Sequence, residues 1–525
     1  MIYRAFFLIL FSLFNTLMVS QNENSKWFFG HGAAIDFMPN PPTLIPNSSM
    51  SVTAGASSIA DANGNLLFYS NGNTVWNQTN AIMANGTGLY SYTNSATSSL
   101  ILKKPGSAST YYIFTLDGSQ FNSVGVHYST IDMTLASGNG SVTVKNSPIY
   151  TGYCAQKLTG TRHSNGTDYW ILIHEMLSNN FRSYLVTAAG VNTVAVVSSS
   201  GTTYAQWEIT GRMKISPTGD KIGLHYSGNG GQHELYDFDN STGIVSNPLI
   251  LPNSSVGYGV EFSPDGSKFY GCIVQNNQFY LSQWNLRVGT DSAIFASQYT
   301  VPSARLGEMQ LAPNGKIYVA RFQLTDLGLI NNPDCNAGGC NYVDLGISIA
   351  PKQTWWSIPN LITYPAINSS SISITGNTII CNGESTILTA NGAITYSWNT
   401  GATSPSIAVS PSVTSPYFVV ANSNCSLHNS VTVNVDQCTE ISEEDNDSEI
   451  SIFPNPNNGK FTITLNSVSP TTELILYSLV GLQIWQSHLV STTTEVVLNE
   501  LGSGMYFLKV VDDKKTLLSR KIIKQ

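Results

Sequence analysis

The chain has 525 residues, enough for about three domains with substantial cores. Only 11% of residues are charged and the net charge is −8, so no basic face is available for phosphates and nucleic acid is excluded as a partner. A chain this poor in charge and this rich in Asn, Ser, Thr and Gly reads as an all-β protein whose surface is hydrated by amides and hydroxyls.

The N-terminus, "MIYRAFFLILFSLFNTLMVSQN", places one cation at Arg4 before an apolar run from Ala5 to Leu13. This is the layout of a signal peptide over residues 1–20. Ser12, Asn15 and Thr16 interrupt the run before it is long enough to span a bilayer, and no later segment is apolar for longer, so no transmembrane segment is expected in the mature chain.

From 27 to 365 one phrase recurs: an apolar strand, a Gly-containing polar turn, and a second strand rich in aromatic and β-branched residues. Examples are "SSIADANGNLLFYS", "TGTRHSNGTDYWILIHE", "MKISPTGDKIGLHYS", "VEFSPDGSKFYGCIV" and "MQLAPNGKIYVARF". The turn glycines Gly64, Gly106, Gly166, Gly219, Gly266 and Gly315 are separated by 42, 60, 53, 47 and 49 residues. Four-stranded propeller blades repeat at about 40 to 50 residues, and the Asn-Gly and Asp-Gly turns suit tight hairpins. The six phrases leave "WFFGHGAAIDF" and "TWWSIPNLITY" at the two ends. The reading is a β-propeller of seven blades with a closing blade built from both ends, six blades being the alternative.

Residues 368–435 carry short strands between Asn-Gly, Thr-Gly and Ser-Pro turns around Trp398, the pattern of an Ig-like β-sandwich. The run "TEISEEDNDSE" makes 436–449 an acidic linker, and 450–525 alternates as a second small β-sandwich. In an exported chain the seven cysteines point to disulfides rather than metal. Cys335 and Cys340 are spaced to close a small loop, and Cys381 and Cys425 bracket the first sandwich.

No nucleophile-elbow motif occurs, and "HEMLS" and "HELYD" lack the second His of a zincin helix. The enzymatic option is a pair of carboxylates on adjacent blades acting on a polysaccharide. Glu208, Glu261 and Glu308 occupy related places before three successive turns, and His163, Asp168, His174 and Glu175 surround another. Asp61, Asn63, Asp237 and Asp239 alternate as calcium ligands do, although turn-capping accounts for them equally; no other cofactor is expected. The seven tryptophans before residue 365 offer packing or stacking surfaces for sugars.

The C-terminal segments "FPNPNNGKFTITL", "LILYSLVGLQIWQ", "ELGSGMYFLKVV" and "LSRKIIKQ" together resemble the type A C-terminal sorting domain of type IX secretion substrates of Bacteroidota. Pro454, Asn455, Pro456, Gly459, Gly504 and Tyr506 fall on its motifs, with Phe453 where the family more often has Tyr. The resemblance implies export through both membranes, the type IX machinery as partner, and release or attachment at the cell surface. The 368–435 module looks like the Ig-like or PKD-like repeats of such proteins, and the first 340 residues resemble their N-terminal propeller-like regions. These resemblances imply no established chemistry; the modular order and the lack of a specific catalytic motif point to non-catalytic binding or adhesion, to a glycan or a protein, with a polysaccharide-acting propeller enzyme as the alternative.

Overall fold

The computed structural model describes residues 22–92, 95–118, 124–203, 210–226, 231–251, 257–356, 358–364, 372–392, 395–422, 426–436, 450–479, 481–513 and 515–525. Glu208, Cys425 and the signal peptide at 1–20 lie outside them.

Seven antiparallel meanders follow one another between residues 26 and 348. Their first strands are Lys26–Phe29, Ser57–Ala60, Ser99–Lys103, Cys154–Arg162, Met213–Ile215, Val260–Phe262 and Leu306–Leu311, each lying beside the next. These are the innermost strands of a seven-bladed propeller. Most blades have four strands; the first has three, the fourth has five, and the second and third join through one parallel pairing, Ser141 with Ala84. The six expected turn glycines all have positive φ, between +68° and +80°, the conformation glycine adopts without a Cβ penalty. Each joins the first two strands of its blade.

Closure differs from the sequence expectation. "WFFGHGAAID" forms the first two strands of a blade made wholly from residues 26–44, and no blade is composite. That blade meets the seventh through Trp27 and Phe37, whose rings pack edge-on to Tyr318. The C-terminal "TWWSIPNLITY" adds no strand to any blade. It lies as a strap along the inner strands: Trp356 N donates to Thr53 O, Asn360 N to Ala56 O, and Thr363 N to Gly160 O. The Asn360 side-chain amide donates to both Ser99 O and Leu158 O, tying the third and fourth blades. Two glycines make room for it. A Cβ on Gly307 would come within 2.5 Å of Trp356 O, and one on Gly160 within 2.8 Å of Ile362. Thr354, Ile358 and Asn360 are fully buried, so the strap completes the core of the ring.

The first sandwich pairs a three-stranded sheet with a four-stranded one between Ser373 and Asp436, with Trp398 buried in it. The second packs three strands on four between Ile450 and Lys524, around Phe461, Ile463, Leu474, Leu476, Leu508 and Val510. Asn455 explains why its proline motif and C-terminal segment occur together. Its side chain donates to Lys521 O and accepts from Ile523 N, fastening one to the other. Pro454 and Pro456, which lack an N–H, flank it; Gly459 turns the chain at φ +98°, Gly504 opens the strand Gly504–Asp512, and the Tyr506 hydroxyl donates to Gly502 O.

Candidate functional site

The carboxylates expected to reach the channel are on inner strands, but they are sealed. Glu308 and Arg212 are both fully buried and form an ion pair at 2.7 Å. Glu308 also accepts from Ile358 N, and Arg212 donates to Ile358 O and Ala96 O. Glu261 pairs with Lys214 at 3.3 Å and accepts from Leu311 N and Phe262 N, while Lys214 also bonds Gln310. Burial pushes the Glu308 carboxyl up to about 8, against the pull of Arg212, Lys214 and the Ile358 amide. Burial likewise lowers Lys214, against Glu261. Arg212 and Glu308 cement inner strands to the strap, while Lys214 and Glu261 tie the inner strands of the fifth, sixth and seventh blades to one another; neither Glu261 nor Glu308 is free for the expected carboxylate pair at the channel, and Glu208 lies outside the described residues.

The other clusters also disperse. His163 and Asp168 flank a hairpin turn, whereas His174 and Glu175 end the strand Tyr169–Glu175, about 20 Å away at 3.3 Å per residue. Glu175 is occupied by Arg182, Ser178 and Asn180. Asp61 accepts from Asn63 N and from the backbone and side chain of Asn65; Asp239 accepts from Ser241; Asp237 pairs with Lys221 and Asn247. Turn-capping and a surface ion pair account for Asp61, Asp237 and Asp239, Asn63 contributes its backbone N–H to the first of these caps, and no cluster of three His, Cys, Asp or Glu side chains that could hold a metal is present among the described residues. Cys340 is a free, buried thiol, so the expected Cys335–Cys340 loop is not closed.

What the sequence did not indicate is a cavity of about 700 Å³ at one end of the channel. Its walls come from the segments that lead into inner strands: Thr53 and Ala54 before the second blade, Thr210 before the fifth, Gly257 and Tyr258 before the sixth, and Leu306 at the start of the seventh. Val274 and Phe279 approach from a hairpin of the sixth blade, and Trp355 and Trp356 from the strap. Trp356 is stacked on Phe322 with ring centroids 4.2 Å apart and is tilted against Tyr258 at 5.5 Å. Trp355 meets Phe322 and His31 edge-on.

The sealed ion pair positions this wall. Glu308 N donates to Trp356 O at 2.8 Å, its carboxylate receives Ile358 N, and Arg212 holds Ile358 O, so the backbone is gripped on the C-terminal side of the Trp pair. Among the described residues no lining side chain carries a charge. Burial pushes the Cys272 thiol up to about 12, and Gln156 is spent on Ala96 N and Gly118 O. The Tyr258 and Thr210 side chains line the cavity, and their hydroxyls make no hydrogen bond to the described residues. Of these residues only the Trp pair was singled out in the sequence, as two of the seven tryptophans that offer packing or stacking surfaces.

Solved structures that the chain is similar to include the Kuenenia stuttgartiensis hydrazine synthase, at 11% identity and TM-score 0.32, covering 59% of this chain and 76% of that one. TolB from Acinetobacter baumannii matches at 15% and 0.29, covering 51% and 57%, and the periplasmic gluconolactonase PpgL of Pseudomonas aeruginosa at 10% and 0.30, covering 74% and 100%. No curated protein matches the chain. Residues 451–525 match the secretion system C-terminal sorting domain family, in agreement with the proline motif and the strand it fastens. The chain therefore carries a type IX sorting domain at its C-terminal end and is exported to the cell surface or the extracellular space.

Proposed function

We propose that this is an exported, non-catalytic binding protein that engages its ligand at the mouth of the propeller channel. On this reading the Ig-like or PKD-like sandwich is a spacer and the sorting domain delivers the propeller to the outside. The observation that carries it is the aromatic cavity, whose volume lies within the roughly 300–1,000 Å³ typical of ligand sites. The commitment of Glu261 and Glu308 to buried ion pairs favours binding over glycoside hydrolysis, which needs two accessible carboxyl groups.

The secreted full-length protein should be retained by one class in an array of immobilised glycans and matrix proteins. Phe279→Ala should weaken that retention about ten-fold or more; because Phe279 is half-buried against the sixth and seventh blades, retention is compared well below the variant's thermal midpoint. Retention that Phe279→Ala leaves unweakened, or release of products from any polysaccharide in the array, refutes this function.

A further inference from the structure

We propose that the cavity takes a neutral sugar residue of an uncharged glycan, seated face-on against the Trp355–Trp356 wall. The proposal rests on the binding function above and narrows it to a ligand class. Three properties of the wall select that class.

The first is charge. Arg212 and Glu308 satisfy one another behind the strap, and the buried Lys157 ammonium donates to Thr210 O and Gly211 O. A uronate, sulfate or phosphate entering the cavity would lose its hydration and gain no cationic partner among the described residues. The second is polarity. Tyr258 and Thr210 present hydroxyl groups with no partner among the described residues. A wholly apolar ligand would bury them unpaired, whereas a sugar offers hydroxyls that can both donate and accept. The third is shape and rigidity. A pyranose presents a flat C–H face to an aromatic ring and its hydroxyls to the sides, and the wall supplies aromatic area with hydroxyls beside it. Trp356 is already stacked on Phe322, and the strap is held by Glu308 and Arg212, so little side-chain entropy is left to lose on binding.

The test uses the secreted full-length protein, its tryptophan emission, and hexasaccharides of matched length. The neutral set is a β-glucan, a mannan and a xylan hexamer; the acidic set is a hexauronate and a sulfated hexamer. At least one neutral hexamer should bind, with an affinity unchanged between 50 and 500 mM salt, because no ionic contact is made. Tyr258→Phe removes one oxygen that has no partner among the described residues, so the fold should be retained. It should weaken binding about five-fold, as expected for one hydrogen bond. Phe279→Ala should weaken it about ten-fold or more. Binding confined to the acidic set, a steep loss of affinity with salt, or affinity indifferent to Tyr258→Phe and Phe279→Ala overturns the proposal. If no hexamer binds while a matrix protein is still retained through the cavity, the sugar assignment fails and the binding function stands. If nothing is retained through the cavity, both fail.

Discussion

Replacing Glu308 with alanine is expected to destabilise the propeller by about 3–5 kcal/mol, the range for removing one partner of a buried ion pair. The change leaves the Arg212 guanidinium unpaired in a fully buried position and strips the Ile358 N–H of its acceptor. Glu308→Gln should behave differently. One carboxylate oxygen takes both Arg212 and Ile358 N while the other has no partner, so an amide can keep the two bonds and place its NH₂ at the vacant position. The sign of the pH dependence follows from the raised carboxyl. Its folded pKa of about 8 lies above the ordinary 4.5, so between those values the folded state holds the extra proton. This contribution is therefore present in full below pH 4.5 and is lost as pH rises towards 8, at up to about 1.4 kcal/mol per unit. Glutamine carries no such dependence. Its stability should be within about 1 kcal/mol of the parent at pH 5 and gain on the parent steadily to pH 8. Guanidinium unfolding followed by tryptophan emission reports on the propeller, which holds seven of the nine tryptophans. An alanine variant within 1 kcal/mol of the parent, or a glutamine-to-parent difference flat from pH 5 to 8, would refute the role given to this pair.

Two further outcomes follow from buried groups. Cys154, Cys272 and Cys340 are buried free thiols whose ionisation burial suppresses, so iodoacetamide at pH 8 should leave all three unmodified in the native protein. All three should label after unfolding without reductant; peptide mass mapping reads both states, and rapid native labelling of Cys272 would contradict its place in the cavity wall. At the other end of the strap the Tyr364 hydroxyl donates to the buried Glu23 carboxylate at 3.0 Å, and Asn24 donates to Ile362 O. Tyr364→Phe should cost about 1–3 kcal/mol by leaving that carboxylate short of a donor, seen as a lowered thermal midpoint; an unchanged midpoint would show that this clasp does not help hold the ring shut.

Six of the seven blades were legible because each is punctuated by a requirement of the backbone itself. A tight hairpin needs a residue at positive φ, and Gly64, Gly106, Gly166, Gly219, Gly266 and Gly315 supply it at a blade's spacing. The first blade lacks that phrase; its turn is the short "GHG", with Gly30 and Gly32 at positive φ, and it has only three strands. Without the recurring phrase that marks the others, its sequence looks like half of a blade awaiting the C-terminal end. Strand alternation could also place Glu261 and Glu308 on inner strands. It could not say whether the channel there is open, because that depends on a strap which meets Glu308 fifty residues earlier in the chain and Arg212 earlier still.

The same long-range dependence explains why the cavity had no sequence signature. Its lining residues come from the approaches to or first residues of five different inner strands, one hairpin and the strap, and no two of these segments are neighbours in sequence except through a blade. A local pattern records what a segment needs for its own backbone, as the turn glycines do. The cavity records instead where the strap stops filling the channel. Ile358 and Asn360 are buried among inner strands, while Trp355 and Trp356, a few residues earlier, are only half-buried. One stretch of chain thus closes the ring with one part and forms the binding wall with the other. A substitution at Glu308 or Arg212 that loosens the strap should therefore weaken ligand binding as well as stability, although neither side chain is exposed to the ligand.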